Sequence, residues 1–373
     1  MRHELHKAKR WVIKVGTSSL STDEGHFSAR QMENIVSQVA GLLKRKIQVV
    51  LVSSGAIALG MDTLKRTKRP TALPELQACA AIGQGKLMKA YEAAFSSTGF
   101  HAAQILLTRD EIHDRERYVN AKKTVQTLLN MGAVPIVNEN DTVATEEIRF
   151  GDNDILAAHV AGMIEASLLV FLSDIDGLYL KDKTLIKQIR SSEELKEYTA
   201  HVYPKRSEKT AGGMKTKLEA ARIAMRSGIP IVLANGRDEG TLDRILKGEE
   251  VGSLFYPSER KASAKKRWLE HSASSKGAVI VDDGAYRALT ERNKSLLSSG
   301  VVRCSGNFKV GDVVELANEQ GDAFARGLIN YSRIEVEKIK GKKTKEIDSI
   351  LGYKRTDELI HRNHLVFLGQ HGT

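Results

Sequence analysis

Short apolar runs alternate with longer amphipathic stretches along most of the chain. Trp11-Val12-Ile13-Lys14-Val15-Gly16 reads as a strand that a lysine interrupts, followed by the small polar Thr17-Ser18-Ser19. Ser28 to Lys44 has a helical repeat, with Ile35, Val39, Leu42 and Leu43 on one side. Ile47 to Val52 is a continuous apolar run of the kind found in buried parallel strands, ending at Ser53-Ser54-Gly55 before the helical Ala56-Ile57-Ala58-Leu59. A basic, proline-containing loop from Lys65 to Pro74 leads into an alanine-rich helix over Pro74 to Phe95, and Ala102 to Leu107 is the next strand. Arg109 to Asn130 reads as one amphipathic helix with a charged outer face. Ala133 to Val137 is a buried strand entered from a turn at Gly132, and Ile155 to Ile164 a helix. Leu168 to Leu172 forms a further strand, ending in Ser173-Asp174 and the turn Asp176-Gly177-Leu178-Tyr179. The polar segment Lys181 to Lys209 is predicted as a loop excursion. Thr210 to Lys217 opens a helix to about Arg226, and Ile229 to Leu233 is predicted to close the sheet.

Regular alternation of strand and helix predicts an α/β fold, a mostly parallel sheet sandwiched by helices. Polar or glycine-rich clusters after each major strand then fall along one edge, where open sheets of this kind bind ligands. The densest is Asn138-Glu139-Asn140-Asp141-Thr142, with Gly151-Asp152-Asn153-Asp154 following before the helix at Ile155. A turn plus a helix cap accounts for about one polar residue at each end of that stretch. The crowd of amides and carboxylates left over points to a binding site.

Composition narrows the setting. The 373 residues suffice for two domains, and 41% hydrophobic with 28% charged residues is the balance of a globular protein. Apolar runs such as Leu168 to Leu172 are far too short for a membrane span. The N-terminal residues show no long apolar segment or cleavage site, so no signal peptide is expected. Cys79 and Cys304 sit in no CxxC setting, which argues against a disulfide framework or a zinc site and for a cytoplasmic enzyme. A net charge of +11 suits an anionic ligand or a nucleic acid without choosing between them.

The chemistry lies in two lysines. Lys14, flanked by Ile13 and Val15, is costly inside a sheet unless it faces an anion. Lys217 opens a helix behind Gly212-Gly213, where backbone can approach a phosphate closely. No Walker A loop is present, because Met61 stands where the lysine should follow Gly55 and Gly60, and no GxGxxG follows a strand. Lysines, glycine turns and carboxylates without a nucleophile triad suggest phosphoryl transfer, with a carboxylate between the lysines to orient both. The competing reading makes each lysine a surface residue with its stem laid along apolar neighbours.

The residues that carry a resemblance are Val12-Ile13-Lys14-Val15-Gly16-Thr17-Ser18, Ser53-Ser54-Gly55-Ala56-Ile57-Ala58, Leu107-Thr108-Arg109 with Asp114-Arg115-Glu116-Arg117, Asn138-Glu139-Asn140-Asp141, Gly151-Asp152-Asn153-Asp154 and Gly212-Gly213-Met214 with Lys217. In this order they resemble the amino acid kinase family, and within it the branch that phosphorylates L-glutamate. The resemblance implies ATP-dependent phosphorylation of the γ-carboxylate of glutamate, the first step towards proline. It implies Ser54, Asp141 and Asn153 as the glutamate site. Lys14, Ser173, Asp174, Ala211, Gly212, Gly213, Met214, Lys215, Thr216 and Lys217 are implied contacts of ATP. Asp154 is the carboxylate expected to organise Lys14 and Lys217. Mg2+ is implied by ATP, held by phosphates rather than by a cage of protein ligands. L-proline is implied as a feedback inhibitor and a homo-oligomer, dimer or tetramer, as the assembly. The family segment GTGGM is departed from here, with Ala211 before the glycine pair.

A second module follows. Residues 1–258 are expected to form the catalytic domain, 259–276 a linker rich in Lys, Arg, Ser and Ala, 277–355 a small β-rich domain, and 356–373 a tail. Short strands at Ala278 to Val281, Gly300 to Val302, Val313 to Leu316 and Ala325 to Leu328, with Ser305-Gly306-Asn307-Phe308 and Glu346 to Tyr353, resemble a PUA domain. The alternative reading is therefore an RNA-binding or RNA-modifying protein acting through that domain. The acidic block at Gly151 to Asp154 argues against it, since carboxylates there would repel phosphates.

Overall fold

The computed structural model describes residues 1–22, 25–143, 153–201, 213–258, 268–269 and 275–368. The chain forms two compact units, Met1–Ile112 with Glu116–Lys261, and His113–Arg115 with Ala262–Thr373.

The first unit is built on an eight-stranded sheet in the order β3-β4-β2-β1-β5-β9-β10-β8, with β8 at Gln188–Ile189 and β10 at Ser253–Phe255, while β6 (Leu178–Tyr179) and β7 (Leu185–Ile186) pair with each other. Strands β1 (Arg10–Val15), β2 (Gln48–Ser53), β3 (His101–Leu107), β4 (Ala133–Glu139), β5 (Leu168–Ser173) and β9 (Ile231–Asn235) run parallel. Helices α1 (Ala29–Lys44), α2 (Ala56–Thr63), α3 (Leu73–Ser96), α4 (Arg109–His113), α5 (Arg115–Asn130), α6 (Asn153–Met163), α7 (Ser192–His201), α8 (Met214–Arg226) and α9 (Thr241–Leu246) accompany it. The central strands are buried on both faces, which is why they read as unbroken apolar runs rather than as alternation. Helix α1 begins where expected because the Ser28 hydroxyl caps it, accepting from the Gln31 backbone N–H at 3.3 Å. It buries Met32, Ile35, Val36, Val39 and Leu42 against the sheet core.

Register aligns the carboxyl ends of the strands. Lys14 lies between Val52 and Phe171, and Val15 between Ser53 and Leu172. Ser173 pairs with Asn235 at the next position outward. From β1 the chain runs to one side of the sheet and from β5 to the other, so the switch point of the topology falls beside Lys14.

The structure departs from the sequence expectations in four places. Helix 109–130 is two helices, α4 and α5, broken at Asp114. The segment read as a loop from Lys181 is partly ordered into β7 (Leu185–Ile186), β8 (Gln188–Ile189) and α7, while 202–209 lie outside the described residues. Strands of two residues carry no readable alternation, yet Ile186, Ile189 and Leu195 are buried there. The sheet does not close at β9: β10 (Ser253–Phe255) pairs antiparallel to it, and β8 pairs parallel to β10. Finally, β4 continues through Asn138 and Glu139, both buried. Those polar residues stay in the strand because partners satisfy them.

The second unit carries a five-stranded sheet, β12-β11-β13-β14-β15, of β11 (Gly277–Val281), β12 (Val301–Gly306), β13 (Val313–Ala317), β14 (Ala323–Leu328) and β15 (Leu365–Phe367). Its core gathers Val279, Leu316, Ile329, Tyr331 and Val336 among others, with α10 (Asp283–Thr290), α11 (Arg333–Ile339) and α12 (Ile347–Leu351) alongside. Within the stretch read as a tail, β15 is an edge strand and Leu296 bridges Ile360. The Tyr331 hydroxyl also donates to the Thr356 carbonyl at 2.5 Å. Most of the residues read as a linker lie outside those described.

Candidate active site

Lys14 is the one buried charged residue of the central strand β1, and it is 6% exposed. Its Nζ lies 2.6 Å from Oδ1 of Asp154, which has no exposure at all. Oδ2 of the same carboxylate is 3.0 Å from Lys217 Nζ and accepts from the Thr216 hydroxyl at 3.2 Å. One carboxylate therefore bridges two ammonium groups brought from β1 and from the first turn of α8. Burial alone would raise the Asp154 pKa, but the two lysines override it and hold the carboxyl below its ordinary range. Burial pulls Lys14 down from its ordinary value, and Lys217 adds to this while Asp154 opposes it. The cluster of two cations and one anion carries a net positive charge in a site nearly closed to water. Such a charge is suited to a developing anion.

A second cluster adjoins it through the next residue. The Asn153 amide nitrogen donates to the Ser53 carbonyl at 3.1 Å, the Ser54 hydroxyl at 3.0 Å and Asn138 Oδ1 at 2.9 Å. Asn138 Nδ2 in turn donates to Gln84 Oε1 at 2.8 Å. Ser53 is fixed from the other side by the Tyr91 hydroxyl at 2.8 Å, and burial pushes that phenol well above its ordinary pKa.

Asp141 lies two residues beyond the end of β4. Burial raises its carboxyl from 3.8 to about 6, and the Arg69 guanidinium acts against that rise. Ser173 closes β5, with its hydroxyl donating to Asp174 at 3.3 Å. Gly213 precedes α8, whose first turn holds Met214, Lys215, Thr216 and Lys217. Ala211, Gly212, Gly151 and Asp152 lie outside the described residues.

The structure thus joins Lys14, Asp154, Thr216 and Lys217 in one cluster and Ser54 with Asn153 in another. Asp141 is coupled instead to Arg69, and Ser173 to Asp174. Sequence reasoning missed Gln84, Tyr91 and Arg69. The one signal for Gln84 was Gly83 beside it inside a helix, since glycine in a helix interior marks a close approach. A Cβ on Gly83 would lie 1.7 Å from the Ala56 carbonyl oxygen, so α3 presses on the start of α2 beside Ser54.

Comparison with known proteins gives the following matches. Residues 9–235 match the model described as the amino acid kinase family, and residues 277–351 match the PUA domain. A protein of Carboxydothermus hydrogenoformans named glutamate 5-kinase is 48% identical over 99% of this chain and 100% of its own length. One of the same name from Caldanaerobacter subterraneus subsp. tengcongensis is 47% identical over 96% of this chain and 98% of its own. Among solved structures, a carbamate kinase from Giardia lamblia bound to AMP-PNP covers 68% of this chain and 100% of its own, with a TM-score of 0.51 at 17% identity. That last likeness is one of fold alone.

Proposed function

The chain belongs to the amino acid kinase family, and from that premise we propose that it phosphorylates the γ-carboxylate of L-glutamate with ATP, giving L-glutamyl 5-phosphate, the first step of proline biosynthesis. The observation that carries this reading is Asp154 held between Lys14 and Lys217 at the carboxyl ends of the parallel strands. The acceptor is a carboxylate, already ionised at neutral pH, so no base is required. One carboxylate oxygen forms a bond to the γ-phosphorus while the bond from that phosphorus to ADP breaks. ADP leaves with the electron pair. What remains for the protein is alignment and neutralisation of charge, which two ammonium groups supply.

Lys14 and Lys217 are assigned to the transferring phosphoryl group, and Asp154 to holding them at a fixed separation. Ser54, Asp141 and Asn153 are assigned to glutamate. The amide oxygen of Asn153 is buried and, among the described residues, has no hydrogen-bond partner, which makes it an acceptor suited to an ammonium. Ser173, Asp174 and the segment Ala211 to Lys217 are assigned to the nucleotide. For magnesium, no group of three His, Cys, Asp or Glu among the described residues could hold a metal. Both oxygens of Asp154 are taken by lysines. Magnesium is assigned to the ATP phosphates.

The reading extends to a cytoplasmic homo-oligomer, dimer or tetramer, inhibited by L-proline at the glutamate site. The alternative, an RNA-binding or RNA-modifying protein, is not favoured, because the relatives that match nearly the full length bear the kinase name. The test is ADP release with L-glutamate against L-aspartate, N-acetyl-L-glutamate, carbamate and UMP. Release with glutamate no faster than without acceptor would overturn it.

A further inference from the structure

Three side-chain amides stand in series: Gln84 on α3, Asn138 near the end of β4, and Asn153 opening α6. Which way each amide faces follows from neighbours whose own roles cannot change. The Glu139 backbone N–H can only donate, and it meets Asn138 at 2.9 Å, so that atom of Asn138 is oxygen. The Ser53 carbonyl can only accept, and it meets Asn153 at 3.1 Å, so that atom of Asn153 is nitrogen. Asn138 must then turn its NH2 to Gln84, and Gln84 must answer with its oxygen. Every amide in the relay points the same way.

The two ends are therefore unlike. Gln84 Nε2 is a donor and Asn153 Oδ1 an acceptor, and both are buried with no hydrogen-bond partner among the described residues. Buried amide groups are ordinarily satisfied, so two open ends on one relay call for a ligand that supplies both complements. A free amino acid does so, with an α-carboxylate to accept and an α-ammonium to donate. Resting on the reading of the site as that of a glutamate kinase, we infer that Gln84 is a specificity-determining residue. Its Nε2 donates to the α-carboxylate of the substrate, while its Oε1 fixes the relay so that Asn153 offers oxygen to the α-ammonium. Gly83 makes this possible by letting α3 lie against the Ala56 carbonyl, which carries Gln84 up to the strand ends.

Gln84→Glu is the sharp test. It keeps the acceptor that Asn138 needs and puts a carboxylate oxygen where the donor was. Binding is measured by calorimetry with L-glutamate, with glutarate, which lacks the ammonium, and with 4-aminobutyrate, which lacks the α-carboxylate. Glutamate and glutarate are expected to weaken about tenfold or more, the scale of a hydrogen bond to a charged group. 4-Aminobutyrate should bind as before, and the glutamate KM should rise far more than turnover falls. Equal weakening of all three ligands would mark a merely structural role and overturn the inference, as would unchanged glutamate binding. If Gln84→Glu does not fold, Gln84→Met removes the donor and the acceptor together, so glutamate must then weaken by more than either glutarate or 4-aminobutyrate, and equal weakening of the three overturns the inference. A wild-type chain that does not phosphorylate glutamate would instead overturn the assigned activity, and this inference with it.

Discussion

A lysine, a carboxylate and a lysine set the character of this site residue by residue. Because Asp154 is fully buried, its charge is tolerable only with both partners present. Asp154→Ala leaves two buried or half-buried cations facing each other, and unfolding by denaturant is expected to show a loss of about 3–5 kcal/mol. Lys14→Ala and Lys217→Ala should each lower kcat by about 10²–10³ with a much smaller rise in the glutamate KM, since both are assigned to the transferring phosphoryl group. Steady-state kinetics showing near-normal turnover in either variant would remove that role. Asp141, assigned to glutamate, should carry the pH dependence. With its pKa raised to about 6, it is protonated and unable to pair with an ammonium at lower pH. Thus kcat/KM for glutamate should fall about tenfold per pH unit below that value and level off above it, and Asp141→Asn should flatten the profile. Stability has the opposite sign. A carboxyl whose pKa is raised on folding favours the folded state most below 3.8, and that contribution is lost as pH rises through about 6.

Among the elements, the crossing of α2 and α3 decides how the substrate end is assembled. A Cβ on Gly60 would stand 1.8 Å from the Cys79 carbonyl oxygen, and one on Gly83 would stand 1.7 Å from that of Ala56. Neither neighbour is a flexible side chain that can swing aside, so the helices would have to separate. Gly83→Ala is expected to cost about 3 kcal/mol, the upper end for overpacking, and to raise the glutamate KM by displacing Gln84. Thermal or denaturant unfolding indistinguishable from wild type would contradict so tight a crossing. The same scale shows why α7 and strands β7 and β8 escaped the sequence. Their buried residues are few, and the charged positions between them, such as Lys187 and Arg190, hide any period.

For the whole molecule, the two units have separate cores and separate sheets. Every residue assigned to glutamate or ATP belongs to the first. A chain ending at Lys261 is therefore expected to unfold cooperatively and to release ADP with glutamate. Its regulation or assembly is free to change, because a tethered unit can bias an equilibrium without touching the site. A soluble, folded and inactive chain of that length would show that the second unit completes the active site.

What the sequence determined by itself is the order of the elements and the chemical types at the strand ends. Periodicity is local, so Trp11 to Val15, Ile47 to Val52 and Leu168 to Leu172 were readable as buried strands from their own residues. Lys14 stood out because a charge in such a run needs a partner, and the motifs around it carried the family resemblance. The partner's identity was not local, and Asp154 was named only through that resemblance. Asp154 is far from Lys14 in sequence and meets it only because β1 lies between β2 and β5 while α6 and α8 pack together. Gln84 carried only a faint signal, a glycine beside it, for the same reason: a glutamine in a helix gains meaning only when Asn138 and Asn153 turn its amide. Long-range register and the direction of hydrogen bonds are properties of the folded sheet, and they decided which polar residues became a site.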